Sequence, residues 1–193
     1  MLTPEQTERV DIVLVSPRNP LNIGAAARAM ANFGFRRLSI VAPFATNWME
    51  AKSAVGAPDL LRDAKVYATL AEALAHATLV LGTGSLDRRR PEQATLGLPD
   101  AAAQIHSAIQ QQSESSHIAI LFGSEKHGLT TEDLSWCHAL IVIDTHEAQP
   151  SINLGQAVAI TLYELSRNSG QNEQTPVQPT LNLTNQPQTE QLE

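Results

Sequence analysis

Short apolar runs alternate with longer segments of helical periodicity along most of this chain, and that alternation limits the possible folds more than any other feature. The runs VDIVLVS (10–16), RRLSIVA (36–42), ATLVLGT (77–83), HIAILFG (117–123) and HALIVID (138–144) have the length and aliphatic character of buried strands. Among them, NIGAAARAMANFG (22–34), TLAEALAHA (69–77), LPDAAAQIHSAIQQQ (98–112) and INLGQAVAITLYELSRN (152–168) read as helices. Parallel neighbours need a crossover, usually a helix, so the pattern predicts an α/β fold with a mostly parallel sheet flanked by helices. Ligands of such sheets sit beyond the carboxyl ends of the strands, which directs attention to the loops that follow each run.

Composition narrows the class further. With 193 residues, 42% of them hydrophobic and 17% charged, the chain is sized for one core, built mainly from Ala, Val, Leu and Ile because aromatics make up only 4%. No stretch approaches the 18 apolar residues of a membrane span, and the start MLTPEQTERVDIVLV lacks the basic opening and apolar middle of a signal peptide. Cys137 is the only cysteine, which excludes an internal disulfide framework and a cysteine-rich zinc site and suits a reducing cytoplasm. The six histidines form no H-x-x-x-H pair, so no metal is expected. Gly82 and Gly84 imitate a dinucleotide fingerprint, but no third glycine and no apolar helix follow.

Residues 168–193 hold six Gln, four Asn, four Thr, three Pro and three Glu with no basic residue, and read as a polar, disordered tail behind a domain spanning 1–167. The formal net charge is −7, which argues against nucleic acid in general. Three of those excess negative charges belong to the tail, and the body's basic residues are clustered, with Arg36 beside Arg37 and Arg88, Arg89 and Arg90 consecutive.

Three loops carry candidate chemistry. After run 10–16, Asn22 and Gly24 are expected to open a helix with Asn22 as its cap, and Arg28 falls on the second turn, off the face that Asn22 shares. The small residues Gly24, Ala25, Ala26 and Ala27 let that helix approach another backbone closely. After run 117–123, Gly123 and Gly128 bracket a polar turn with Glu125 and His127 at its rim, which suggests a left-handed turn or close approach of a ligand to the backbone; Thr130 and Asp133 then resemble a helix start. After run 138–144, Ser151 and Asn153 precede an apolar helix that either could cap, beside exposed N–H groups able to meet a ligand hydroxyl or phosphate.

Taken together, N-x-G-x-x-x-R at 22–28, F-G-S-E-x-x-G-L at 122–129 and S-I-N-L at 151–154 resemble, in order and spacing, the three motifs of the SPOUT superfamily of RNA methyltransferases. The likeness is to its TrmH branch of ribose 2′-O-methyltransferases, more narrowly to the TrmJ group, and it covers residues 10–167. The resemblance implies an α/β knot whose C-terminal segment forms a trefoil, and a homodimer with the active site at the interface. It also implies S-adenosylmethionine bound in the knot, with transfer to tRNA, at nucleotide 32 of the anticodon loop, cytidine or uridine. The alternatives left open are a ribosomal RNA substrate and a non-catalytic RNA- or cofactor-binding protein of the same fold.

By the same resemblance the cofactor lies against Thr83, Gly84 and Ser85, Gly123, Ile143, and Ser151, Ile152 and Asn153. Arg28 acts at the 2′-hydroxyl with Asn22, Ser151 and Asn153 orienting it or the ribose. A guanidinium only donates, so Arg28 is expected to clamp phosphate and stabilise charge rather than to act as a base. Glu125 is expected to support the site or the dimer contact. RNA contact is expected from Arg18, from Arg88, Arg89 and Arg90, and from Lys126. Relatives of the TrmJ group often carry a charged helical extension, whereas this chain ends in the polar tail.

Overall fold

The computed structural model describes residues 2–44, 48–50, 56–85, 92–111 and 116–167. Among them seven strands form one sheet, every pairing parallel: β1 (Val10–Val15), β2 (Arg37–Val41), β3 (Lys65–Tyr67), β4 (Leu79–Thr83), β5 (Ala94–Gly97), β6 (Ile118–Phe122) and β7 (Ala139–Val142), in the order β3-β2-β1-β6-β4-β7-β5. The helices are α1 (Pro4–Thr7), α2 (Pro20–Asn32), α3 (Pro58–Arg62), α4 (Leu70–Ala73), α5 (Leu98–Gln111), α6 (Thr131–Ser135) and α7 (Leu154–Ser166). All five expected strands are present. The edge strands β3 and β5 are only three and four residues long, with largely exposed side chains, so they lack the apolar run that marks a buried strand. The polar tail lies outside the described residues.

Alternation along the central strands builds two cores. Val10, Ile12 and Leu14 of β1 join Leu38, Ile40, Ile118, Ile120 and Phe122 on one face, covered by α2, α5 and α7. Val13, Val15, Val41, Ala119 and Leu121 point the other way, onto Leu70, Leu74, Leu129 and Cys137. Burial on both faces explains the continuous aliphatic runs. The strand β7 lies between β4 and β5 although both precede it in sequence, and α7 then returns to pack against α2 and α5. This order is compatible with the threaded C-terminus that the resemblance implies.

Helix boundaries differ from expectation at two places for local reasons. Asn19, not Asn22, caps α2: its side chain accepts from the Leu21 N–H at 2.9 Å, and Pro20 takes the first helical position. Proline suits that position because its fixed φ is helical and the missing N–H would have no partner there. Asn22 is thereby placed within the first turn, with its amide available sideways, and Arg28 falls on the third turn rather than the second. Helix α4 has the Thr69–Glu72 capping box but stops at Ala73, because the chain must extend for Thr78 to donate to the His117 carbonyl at 2.7 Å and start β4. The expected start at Thr130 is realised as a capping box with Asp133.

At the amino end of the sheet, Asp11 faces Arg37 across the β1–β2 pair at 3.7 Å and accepts from Ser39 Oγ at 3.1 Å, while its Oδ1 is buried without a partner among the described residues. Burial, opposed by Ser39, Arg37 and Lys65, pushes the carboxyl from an ordinary 3.8 up to about 6. The folded chain therefore binds more protons than the unfolded chain between those values, and stability falls as pH rises through them. Asp11→Asn removes the titration. Its stability relative to the wild type, read by urea denaturation from pH 3.5 to 8, is expected to improve by up to about 3 kcal/mol across that window and then level off.

Candidate active site

The carboxylate of Glu125 joins the three motif loops. Its Oε2 accepts from the Arg18 backbone N–H at 2.8 Å, and its Oε1 accepts from the Asn19 N–H at 3.0 Å and from Asn22 Nδ2 at 2.8 Å. Asn22 Oδ1 in turn accepts from Asn153 Nδ2 at 2.8 Å. The other end of the Asn153 amide caps α7, accepting from the Gly155 and Gln156 N–H groups at 2.8 and 3.4 Å. One chain of hydrogen bonds thus runs from residues 18–22 through Glu125 to the start of α7. Burial raises the Glu125 carboxyl pKa, but donation from Asn22, Asn19 and Arg18 outweighs it and holds the group below its ordinary value, ionised.

The turn that presents Glu125 is closed on itself. Gly128 donates to the Ser124 carbonyl at 2.8 Å, the two residues form an antiparallel bridge, and Gly128 has φ of 66°. A Cβ on Gly123 would stand 2.1 Å from the Gly128 carbonyl carbon and from the Leu129 nitrogen. Both glycines are required by the turn itself, the left-handed one at 128 and the close approach at 123. Close approach also governs the helices, since a Cβ on Gly155 would lie 2.6 Å from Ala25 Cβ, where α7 crosses the small-residue face of α2.

Beyond the carboxyl ends of β6, β4 and β7 lies a cavity of about 370 Å³. Of the residues expected at the cofactor, Thr83, Gly84, Ser85, Gly123, Ile143, Ser151 and Ile152 line it. Asn153 does not line it; its amide is used up by capping and by Asn22. Ser151, which was the other possible cap, is exposed at the cavity wall. Glu125 and Lys126 form part of the rim. Phe122, Thr145, Pro150, Leu154 and Ala157 also line the cavity and were not anticipated. The apolar ones read in sequence as core or as the apolar side of α7, and only the meeting of three strand ends reveals their second role.

Arg28 lies elsewhere. Six residues after Asn22, it is turned about 120° around the helix and displaced about 9 Å along it, and it does not line the cavity. Its side chain is exposed and makes no hydrogen bond or ion pair among the described residues. It shares an outward stripe with Leu21, Ala31 and Asn32, beside the outward stripe Gln156, Ala159, Ile160 and Tyr163 of α7. Arg18 follows β1, and its guanidinium carbon stands 4.2 Å from the centre of the Phe44 ring. Arg88, Arg89 and Arg90 lie outside the described residues. Behind the site, burial, helped by Asp133, pushes the Cys137 thiol up to about 12, which removes it as a nucleophile. The described residues contain no group of three or more His, Cys, Asp or Glu placed to hold a metal, and no helix long and apolar enough to cross a membrane.

Comparison with known proteins shows the family. The model of the SpoU rRNA Methylase family matches residues 9–163. Over 159 residues the chain is 37% identical to the tRNA (cytidine/uridine/adenosine-2′-O-)-methyltransferase TrmJ of Pseudomonas aeruginosa (strain UCBPP-PA14), a match covering 82% of this chain and 60% of that protein. It is similar to the crystal structure of TrmJ from Z. mobilis ZM4, with TM-score 0.72 and 36% identity over 81% of this chain and 68% of that one. A probable methyltransferase from Bordetella pertussis Tohama I gives TM-score 0.76 and 31% identity over 85% of this chain and 98% of that one. The chain thus spans about 60% of the length of the Pseudomonas relative.

Proposed function

This chain belongs to the SpoU rRNA methylase family, and from that membership we propose that it is an S-adenosylmethionine-dependent ribose 2′-O-methyltransferase acting on tRNA. The observation that carries the reading is the convergence of the three motif loops, through Glu125, Asn22 and Asn153, beside one cavity at the carboxyl ends of three neighbouring strands. Its volume falls in the range of small-molecule sites, and its lining mixes apolar Phe122, Ile143, Ile152 and Leu154 with polar Ser85, Ser151 and Thr145. That mixture suits a nucleoside carrying a charged amino-acid arm. When bound, the cofactor supplies an electrophilic methyl group on a sulfonium.

The chain's own residues supply position and charge. Thr83, Gly84 and Ser85, Gly123 and Ile143 bound the cofactor's site, and Ile152 closes it. Ser151, exposed at the wall, orients a ribose hydroxyl. Glu125, held ionised below its ordinary value by three donors, and Asn22 are positioning residues that hold the loops in register. Arg28 clamps a phosphate next to the reacting ribose, as a planar fork of donors does well. Arg28 does not line the cavity of its own chain, which supports a homodimer in which each Arg28 serves the other subunit's cavity. The outward stripes of α2 and α7, with exposed Leu21, Ile160 and Tyr163 around Arg28, form the face that a second copy covers.

RNA is met by Arg18 and Lys126 beside the cavity, and Arg88, Arg89 and Arg90, outside the described residues, are further candidates for phosphate contact. The substrate that the Pseudomonas relative's name states is tRNA, and cytidine or uridine at nucleotide 32 of the anticodon loop is the expected target, in the cytoplasm. Ribosomal RNA is the second reading, favoured by the description of the matching family. Incubation of the purified chain with labelled S-adenosylmethionine and either unfractionated tRNA or ribosomal RNA, followed by mass spectrometry of nuclease fragments, decides between them. A ribose methyl on an anticodon-loop pyrimidine is expected; no transfer to any RNA overturns the proposal.

A further inference from the structure

Phe44 is the most exposed large apolar side chain among the described residues, at 69%, and it is held in place rather than left over. Its ring lies under the Arg18 guanidinium, 4.2 Å from centroid to guanidinium carbon, close enough for a cation–π contact. Two non-glycine residues with left-handed φ set the geometry, Ser16 (49°) just beyond β1 and Ala42 (45°) just beyond β2. They turn both chains out of the sheet at matching heights, Ser16 donating to the Val41 carbonyl at 2.8 Å and Phe44 to the Pro17 carbonyl at 3.0 Å. Residues with side chains hold such φ values only when their surroundings enforce it. The Arg18 backbone is anchored in turn by Glu125 Oε2 at 2.8 Å, and Glu125 lines the cavity.

From this arrangement we propose that Arg18 and Phe44 form a stacking platform for an unstacked nucleobase of the RNA, flanking the nucleotide that is methylated. The inference rests on the RNA-methylating function proposed above. The strands β2, β1, β6 and β4 are consecutive and parallel, so the loops that carry Phe44, Arg18, Glu125 and Thr83 stand in one row along one edge of the sheet. The strands β2 and β4, after which Phe44 and Thr83–Ser85 come, lie three strand spacings apart, about 15 Å. That separation suits a neighbouring base rather than the reacting nucleotide. An aromatic ring with a guanidinium plane across it presents π surface and positive charge together, the combination that holds single-stranded bases with little regard to their identity. A second copy of the chain is the poorer fit, because the apolar face suited to it is the outward side of α2 and α7, not this edge.

Steady-state methyl transfer to unfractionated tRNA, and direct binding of a single-stranded RNA oligonucleotide by fluorescence anisotropy, test the platform on the full chain. Phe44→Ala is expected to weaken oligonucleotide binding and raise KM for tRNA about tenfold, the loss of one base–aromatic stack, with the effect on KM rather than kcat. Phe44→Trp is expected to restore both, since a larger ring stacks as well or better. A Phe44→Ala protein that binds RNA within twofold of the wild type overturns the platform. So does a loss that coincides with a changed sedimentation coefficient, which would make this edge a contact between copies. If the wild type transfers no methyl yet its RNA binding depends on Phe44, the enzymatic function falls and the platform stands.

Discussion

Gly123→Ala is expected to abolish binding of S-adenosylmethionine and to destabilise the fold by roughly 3–5 kcal/mol, the cost of forcing apart packed backbone and the hydrogen bonds that depend on it. The added methyl would stand 2.1 Å from the Gly128 carbonyl carbon and the Leu129 nitrogen, and backbone cannot swing aside as a side-chain tip can. Opening the turn breaks the Gly128-to-Ser124 bond, moves Glu125 off Arg18, Asn19 and Asn22, and unseats buried Leu129 from the second core. The consequence therefore reaches all three motif loops from a single carbon atom. Gly84→Ala is the control for folding: a Cβ there meets nothing within 4 Å and φ is not left-handed, so its urea midpoint is expected to match the wild type. Isothermal calorimetry with the cofactor and urea titration of both variants make the comparison. A Gly123→Ala protein that binds cofactor normally would mean that the turn does not shape the cavity.

The same turn shows what could be read from the sequence. Glycines at 123 and 128 after a buried run signal a special backbone, and the five apolar runs with their intervening helical segments predict a parallel α/β sheet; local chemistry alone accounts for both. The meeting of Asn22, Glu125 and Asn153 is different, because these residues are separated by 103 and 131 positions in their hydrogen-bonded pairs and nothing local links them. Only the resemblance of the ordered motifs supplied that convergence. Asn22 shows how local pattern misassigns a role: asparagine before a small-residue run reads as a cap, yet Asn19–Pro20 is the cap pair and Asn22 instead bridges Glu125 and Asn153. Strand order is the other nonlocal fact. That β7 lies between β4 and β5 depends on pairing between segments far apart in sequence, and no periodicity records it.

Two variants that are each inactive are expected to recover activity when they share a dimer. Arg28→Ala is expected to lower kcat on the order of 100-fold or more while leaving cofactor affinity intact, because it removes charge stabilisation at the reacting centre and Arg28 does not touch the cavity wall of its own chain. Gly84→Trp is expected to do the reverse: a Cβ at Gly84 meets nothing within 4 Å, and a bulky ring on a residue that lines the cavity is expected to compete with the cofactor for that space. If each cavity is completed by the other subunit's Arg28, a heterodimer of the two variants contains one site with both lesions and one with neither. Random assembly makes half of all dimers heterodimers, so differently tagged, co-expressed chains should show about a quarter of wild-type methyl transfer per protomer. Purified heterodimers should show about half. If verified heterodimers show no recovery, Arg28 would have to reach the cavity of its own chain, against its position about 120° around α2 from the face that Asn22 presents to the site. If the chain sediments as a monomer while fully active, the outward face of α2 and α7 is not an interface at all, and Arg28 serves the reaction, if it does, without a second copy.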